Sequence, residues 1–155
     1  MMAETLNLIK KISGDFLKAV GDEGTVNIIE SKNGGDILVD LNLSDPQFLI
    51  GPKGMYLEAF ERLLRVMVRR QSSEEIFLSI DINNYRKRRI EFLKTLAQEI
   101  GNQVALSKKP VSLEPMSAFE RRIVHSEIAG RDGLISESVG EDPERWVIIK
   151  SRVED

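Results

Sequence analysis

Four residues, Gly51-Pro52-Lys53-Gly54, limit what this chain can become. Two glycines three apart permit positive φ angles and the close approach of another backbone. A helical pattern begins directly after them. Leu57, Phe60, Leu64, Met67 and Val68 form its apolar stripe to about Arg70, and Glu58, Glu61, Arg62, Arg65 and Arg69 form its polar face. The turn is therefore a helix start. No Gly-Lys-Ser/Thr follows it, so it is not a phosphate loop of the nucleotide-hydrolase kind.

The segments around this turn are short and alternate in period. Leu6, Ile9, Ile12, Phe16 and Val20 predict a first helix from about Thr5 to Val20, ended by Gly21 and Gly24. Thr25–Ser31 and Asp36–Asn42 read as strands joined by Lys32-Asn33-Gly34-Gly35, where Asn-Gly signals a hairpin. Leu43–Ile50 is short and broken by Pro46. Glu75–Asp81 reads as a third strand with Ile76, Leu78 and Ile80 on one face. After residues 82–83 the pattern changes to a long helix, about Asn84–Leu106, with Tyr85, Phe92, Leu96, Ile100 and Val104 as core candidates. Pro110 stops it. Val111–Leu113 is a short strand. Ser117-Ala118-Phe119-Glu120 fits a capping box, so a helix starts there and ends near Gly130. Leu134–Val139 and Arg145–Ser151 form a closing hairpin across Gly140-Glu141-Asp142-Pro143. The expectation is an α+β chain of two small domains, 1–82 and 83–155.

Composition excludes several classes. With no cysteine and the single histidine His125, there is no disulfide framework, no thiolate site and little material for a metal centre. No metal and no cofactor are expected. No apolar run is long enough to span a bilayer and no signal peptide opens the chain, which points to the cytoplasm. The net charge of −3 argues against nucleic acid until its distribution is considered. Residues 1–82 hold nine Lys and Arg against thirteen Asp and Glu; residues 83–155 hold thirteen against twelve. The basic residues cluster at Arg69-Arg70, Arg86-Lys87-Arg88-Arg89, Lys108-Lys109 and Arg121-Arg122.

Two constellations suit phosphate. At Gly51-Pro52-Lys53-Gly54 the turn, the following helix N-terminus and the Lys53 charge make a clamp for a sugar–phosphate backbone. Phe48, Leu49 and Ile50 beside it would hold unstacked bases. The bland reading is a tight turn with two glycines. The order helix, hairpin, short helix, GxxG, helix, strand is, however, that of a type II KH domain (α-β-β-α-α-β). Arg121 and His125 stand four apart on a predicted helix and share a face. A guanidinium and an imidazole there would grip phosphate oxygens, with Arg122 and the Arg86, Lys87, Arg88, Arg89 run widening the patch. Taken as bare spacing, a surface arginine and a satisfied histidine explain that pair as well.

The segment Leu113-Glu114-Pro115-Met116-Ser117-Ala118-Phe119-Glu120-Arg121-Arg122-Ile123-Val124-His125 closely resembles the core of the nucleic-acid-binding domain named for its Arg-x-x-x-His motif, here the RxxxH domain. More narrowly it resembles the bacterial Jag family, which joins a KH domain to an RxxxH domain. Ile50-Gly51-Pro52-Lys53-Gly54 with Leu57, the run Tyr85–Arg89 and the tail Glu137–Arg145 carry the same likeness, so it covers nearly the whole chain. The resemblance implies a KH-type domain at 1–82 and a small α/β RxxxH domain at 83–155. It also implies single-stranded RNA binding (ssDNA as a lesser option) and post-transcriptional regulation linked to cell elongation, division or sporulation. A second KH protein, or a second copy of the chain, is the implied protein partner. Many Jag proteins carry a further N-terminal domain, and the expectation here is a form without it.

Two other readings stand beside this one. A protein-interaction module would pair through the acidic first half with another KH protein or with a ribosomal or membrane-insertion partner, and bind little RNA. A metal-dependent nuclease needs convergent carboxylates, and Asp40 with Asp45 is the only pair near Gly51 to consider. No catalytic residue is expected.

Overall fold

The computed structural model describes residues 2–31 and 36–152. The turn expected at Lys32-Asn33-Gly34-Gly35 lies outside the described residues. The chain divides into two compact units, Met1–Arg86 and Lys87–Asp155.

In the first unit the order is α1 (Met2–Val20), β1 (Thr25–Glu30), β2 (Asp36–Asn42), α2 (Gln47–Ile50), a 3-10 turn at Pro52–Gly54, α3 (Met55–Gln71) and β3 (Phe77–Ile82). The mixed α+β order matches the one read from the sequence. The sheet runs β1-β2-β3, with β1 antiparallel and β3 parallel to β2. A parallel neighbour requires a long crossover, and α2 with α3 supplies it. Ile37, Val39 and Leu41 face the same side as their partners Leu78, Ile80 and Ile82, and all six are at most 2% exposed. Period-two alternation thus produces one buried sheet face. Ile9, Leu17, Leu57 and Leu64 cover it from α1 and α3. Phe16 stacks on Phe60 with ring centroids 3.9 Å apart.

Two residues of α3 depart from the helical pattern. Met67, expected in the core stripe, is exposed. Glu61, expected on the polar face, is buried, and its partners explain why. Its carboxylate accepts the backbone N–H of Ile80 at 2.9 Å and pairs with Arg65 and Arg86, each at 2.6 Å. Arg65 Nε donates to the carbonyl of Leu78 and Arg86 Nε to that of Ile80. These three side chains satisfy backbone groups on the outer edge of β3, which would otherwise invite another strand.

The turn out of β3 uses Asn83 and Asn84, both at positive φ. The Asn83 amide bridges back to Leu43, accepting from its N–H and donating to its carbonyl.

The chain then enters α4 (Tyr85–Ser107). Tyr85 packs against the first core and Arg86 pairs with Glu61, so the first two residues of α4 belong to the first unit.

The second unit continues with β4 (Val111–Ser112), α5 (Ala118–Ala129), β5 (Leu134–Val139) and β6 (Trp146–Ser151). Its antiparallel sheet runs β4-β6-β5. The core joins Leu93, Ala97 and Val104 of α4 to Val124 and Ile128 of α5 and Val147 and Ile149 of β6. Phe92, expected in this core, is 54% exposed instead. The buried seam of α4 runs through Leu93, Ala97, Gly101 and Val104, with Leu96 and Ile100 flanking it. Small residues occupy that seam because a close neighbour needs the room. Gly101 leaves space for Arg131, whose guanidinium donates to the carbonyl of Gln98 and to the Asn102 side chain. The capping box at α5 is formed: Ser117 Oγ accepts the Glu120 N–H, and Glu120 accepts the Ser117 N–H.

Candidate nucleic-acid interface

The Gly51–Gly54 turn joins α2 to α3 through three left-handed residues. Gly51 lies at φ 70°, Lys53 at φ 53° and Gly54 at φ 81°. Each glycine also has a packing reason. A Cβ on Gly51 would run into the Tyr56 ring, and one on Gly54 would come within 2.8 Å of the Tyr85 ring. Pro52 and Lys53 are exposed, and no side chain caps the N-terminus of α3. The turn's own N–H groups are spent largely within it: Gly51 donates to Gln47, Gly54 to Gly51 and Met55 to Pro52. What the turn presents outward is a lysine and an uncapped helix end. Of the apolar residues expected beside it, Leu49 and Ile50 are buried in the core and only Phe48 is open, at 44%. Core packing claims the other two because α2 is a single turn lying against α3.

Arg121 and His125 stand one turn apart on α5, and both side chains are engaged within the fold. Arg121 is 6% exposed. It donates to the Met116 carbonyl at 2.8 Å and to Asp142 at 2.7 and 3.4 Å. The expected open grip on phosphate is thus filled by a carboxylate from the β5–β6 turn. That hydrogen bond holds the Asp142 carboxyl below its usual range. His125 lies between two hydroxyls of β5, Ser136 at Nδ1 and Ser138 at Nε2, both 2.7 Å away. Burial, and then the positive charges of Arg121 and Arg145, lower its pKa below the ordinary histidine value. Arg122 faces solvent.

The run Arg86–Arg89 divides between the units. Arg86 is committed to Glu61 and the β3 edge. Lys87 and Arg88 are exposed. Arg89 pairs with buried Glu120 at 2.7 Å and lies over the Phe92 ring, so α4 and α5 are tied at this point. Sequence reasoning missed the parts played by Tyr56 and Asp142, and read Tyr85 as a core residue without its contact to Gly54. Nothing in the local pattern marks them, because each acts on a residue distant in the chain or across a turn.

Asp40 accepts a hydrogen bond from Asn42 on β2, and Asp45 is exposed ahead of α2. Among the described residues no three His, Asp or Glu side chains are grouped to hold a metal. No helix among them is long and apolar enough to cross a membrane.

Residues 91–151 match the family model of the RxxxH (Arg-x-x-x-His) domain. The chain is 40% identical over 116 residues to an RNA-binding protein KhpB from Clostridium symbiosum, covering 75% of this chain and 52% of that protein. It is 31% identical over 140 residues to the RNA-binding protein KhpB of Lactiplantibacillus plantarum, covering 89% and 44%. The RNA-binding protein KhpB of Bacillus subtilis is 30% identical over 137 residues, covering 87% and 65%. The chain thus spans about half the length of the first two of these relatives and less than two thirds of the third.

Proposed function

From a chain related to the RNA-binding proteins KhpB over most of its length, with an RxxxH-domain match in its second unit, we propose a Jag-family protein that binds single-stranded RNA. In this reading the first unit is a type II KH domain and the protein is a non-enzymatic, cytoplasmic post-transcriptional regulator. The observation that carries it is the turn at Gly51–Gly54. An exposed Lys53 and an uncapped helix end stand together there, in a unit whose order is α-β-β-α-α-β. Such a turn attracts a phosphate through charge and helix dipole. In the second unit Arg122, beside the motif's own arginine, offers an open guanidinium. Arg121 and His125 act as positioning residues that fix α5 to the β5–β6 hairpin. Two modest sites on one chain gain avidity when one strand reaches both. Phosphate contacts set register, and base contacts supply any preference.

The test is binding of a labelled single-stranded RNA pool at several salt concentrations. Pro52→Asp/Lys53→Asp and Arg122→Ala variants are compared with wild type. The two loop positions are exposed, and aspartate tolerates the left-handed backbone at residue 53. Wild type should bind, and each lost contact should reduce the log–log salt slope by roughly 0.7. A folded wild type that binds no RNA at any salt sinks the reading.

The protein-interaction reading also has an observation in its favour. Leu63, Val66 and Met67 are exposed along α3, an apolar strip on which another KH protein or a second copy could pack.

A further inference from the structure

The second unit leaves two phenylalanines in solvent, Phe92 on α4 at 54% and Phe119 on α5 at 60%. A single exposed aromatic needs no explanation. Phe92 is set apart by its brace, and Phe119 by its place on the turn that the brace reaches. The Arg89 guanidinium carbon lies 5.3 Å from the centroid of the Phe92 ring. The same arginine donates to Glu120 at 2.7 Å, and Glu120 follows Phe119 in the chain. Glu120 is itself fixed by the capping box. Arg89 therefore ties the Phe92 ring to the first turn of α5, the turn that carries exposed Phe119.

The exposed charges near each ring along its helix are mainly positive. Arg88 is exposed one turn before Phe92, and Arg122 is exposed one turn after Phe119. Glu91, also exposed, is the acidic neighbour. Aromatic rings interleaved with arginines suit a flat base on a phosphate-linked strand, because bases stack on aromatic faces and guanidinium planes alike. An apolar protein surface would instead desolvate those arginines without compensation.

Resting on the RNA-binding reading above, we infer that Phe92 and Phe119 are stacking residues for unpaired bases of single-stranded RNA. Arg89 positions the Phe92 ring, and Arg88 and Arg122 meet the flanking phosphates.

The experiment uses the full chain with fluorescein-labelled oligoadenylate and oligouridylate across a salt series. Phe92→Leu and Phe119→Leu keep apolar bulk and remove the π face; Phe92→Trp and Phe119→Trp restore it. Both positions are exposed, so thermal melts of all four variants should overlay wild type. Each leucine variant should bind about tenfold more weakly, as loss of one stacked base predicts. Its salt slope should not change, and tryptophan should recover the affinity. Arg122→Ala should lower the slope. If wild type binds and the leucine variants bind equally well, the stacking proposal falls and the RNA reading stands. If those variants keep RNA affinity but turn a self-associating protein monomeric in sedimentation, the face is a protein interface and the proposal is equally overturned. If wild type binds neither oligonucleotide, the RNA reading itself fails and takes the proposal with it.

Discussion

His125 sits in a bracket that serves it in either charge state. Neutral, it gives one N–H and accepts one O–H; protonated, it donates to both serines. The hydrogen bonds to Ser136 and Ser138 therefore do not oppose protonation, whereas burial and the nearby Arg121 and Arg145 charges do. Its folded pKa lies below the unfolded value near 6.5. Between those values the unfolded chain binds more protons, so stability rises with pH. The His125 contribution should be complete above about 6.5 and fade as pH falls toward the folded pKa. Urea unfolding of wild type and His125→Asn across that window should show the slope only in wild type, and the chain's single histidine makes the assignment clean. A second residue-scale prediction concerns the glycines. Gly54→Ala combines φ 81° with a 2.8 Å approach to Tyr85 and should cost about 1–3 kcal/mol in urea unfolding. Weaker RNA binding by that variant would then report folding, which is why the Pro52 and Lys53 substitutions are the cleaner probes.

Among the elements, β3 depends on side chains more than a strand usually does. Glu61→Leu removes the acceptor for the Ile80 N–H and leaves Arg65 and Arg86 without their shared partner. The cost should be about 2 kcal/mol, mostly from the unpaired buried N–H. Faster hydrogen exchange at the Ile80 amide, with exchange in α5 unchanged, is the measurement. Legibility in the sequence also divides by element. Strands β2 and β3 are readable because one-sided burial writes a period of two into the chain. The capping box of α5 is readable because its partners are three residues apart. The seam of α4 is not, since Ala97 and Gly101 are chosen for size and Phe92 is apolar yet exposed. Glu61 misleads for the same reason in reverse: its burial is decided by arginines and a strand edge that local pattern cannot reveal. Of the candidate site, the glycine turn at Gly51–Gly54 and the basic Arg122 are legible as residue types. The Asp142 carboxylate on Arg121 is not, because a turn residue carries no periodic signal.

At the scale of the chain, the described residues form two hydrophobic cores, one centred on Leu64, Val39 and Ile80 and the other on Val124, Ala97 and Val147. Leu64→Ala and Val124→Ala each remove fully buried methyl groups, at about 2–4 kcal/mol for the leucine and somewhat less for the valine. The expected result is unit-specific: Leu64→Ala should lower amide protection across β2 and β3, and Val124→Ala across β5 and β6. Equal loss everywhere from either variant would mean that the two cores unfold as one.

The notch at Gly101 has an evolutionary consequence. A methyl group there would lie 2.6 Å from the Arg131 guanidinium and displace it from Gln98 and Asn102. The two positions should therefore be inherited as a pair, with relatives that carry a larger residue at the first lacking arginine at the second. In a double-mutant cycle the two positions should couple: Gly101→Ala should stabilise less beside Arg131, whose guanidinium must move, than once Arg131 has become alanine and helix propensity alone decides.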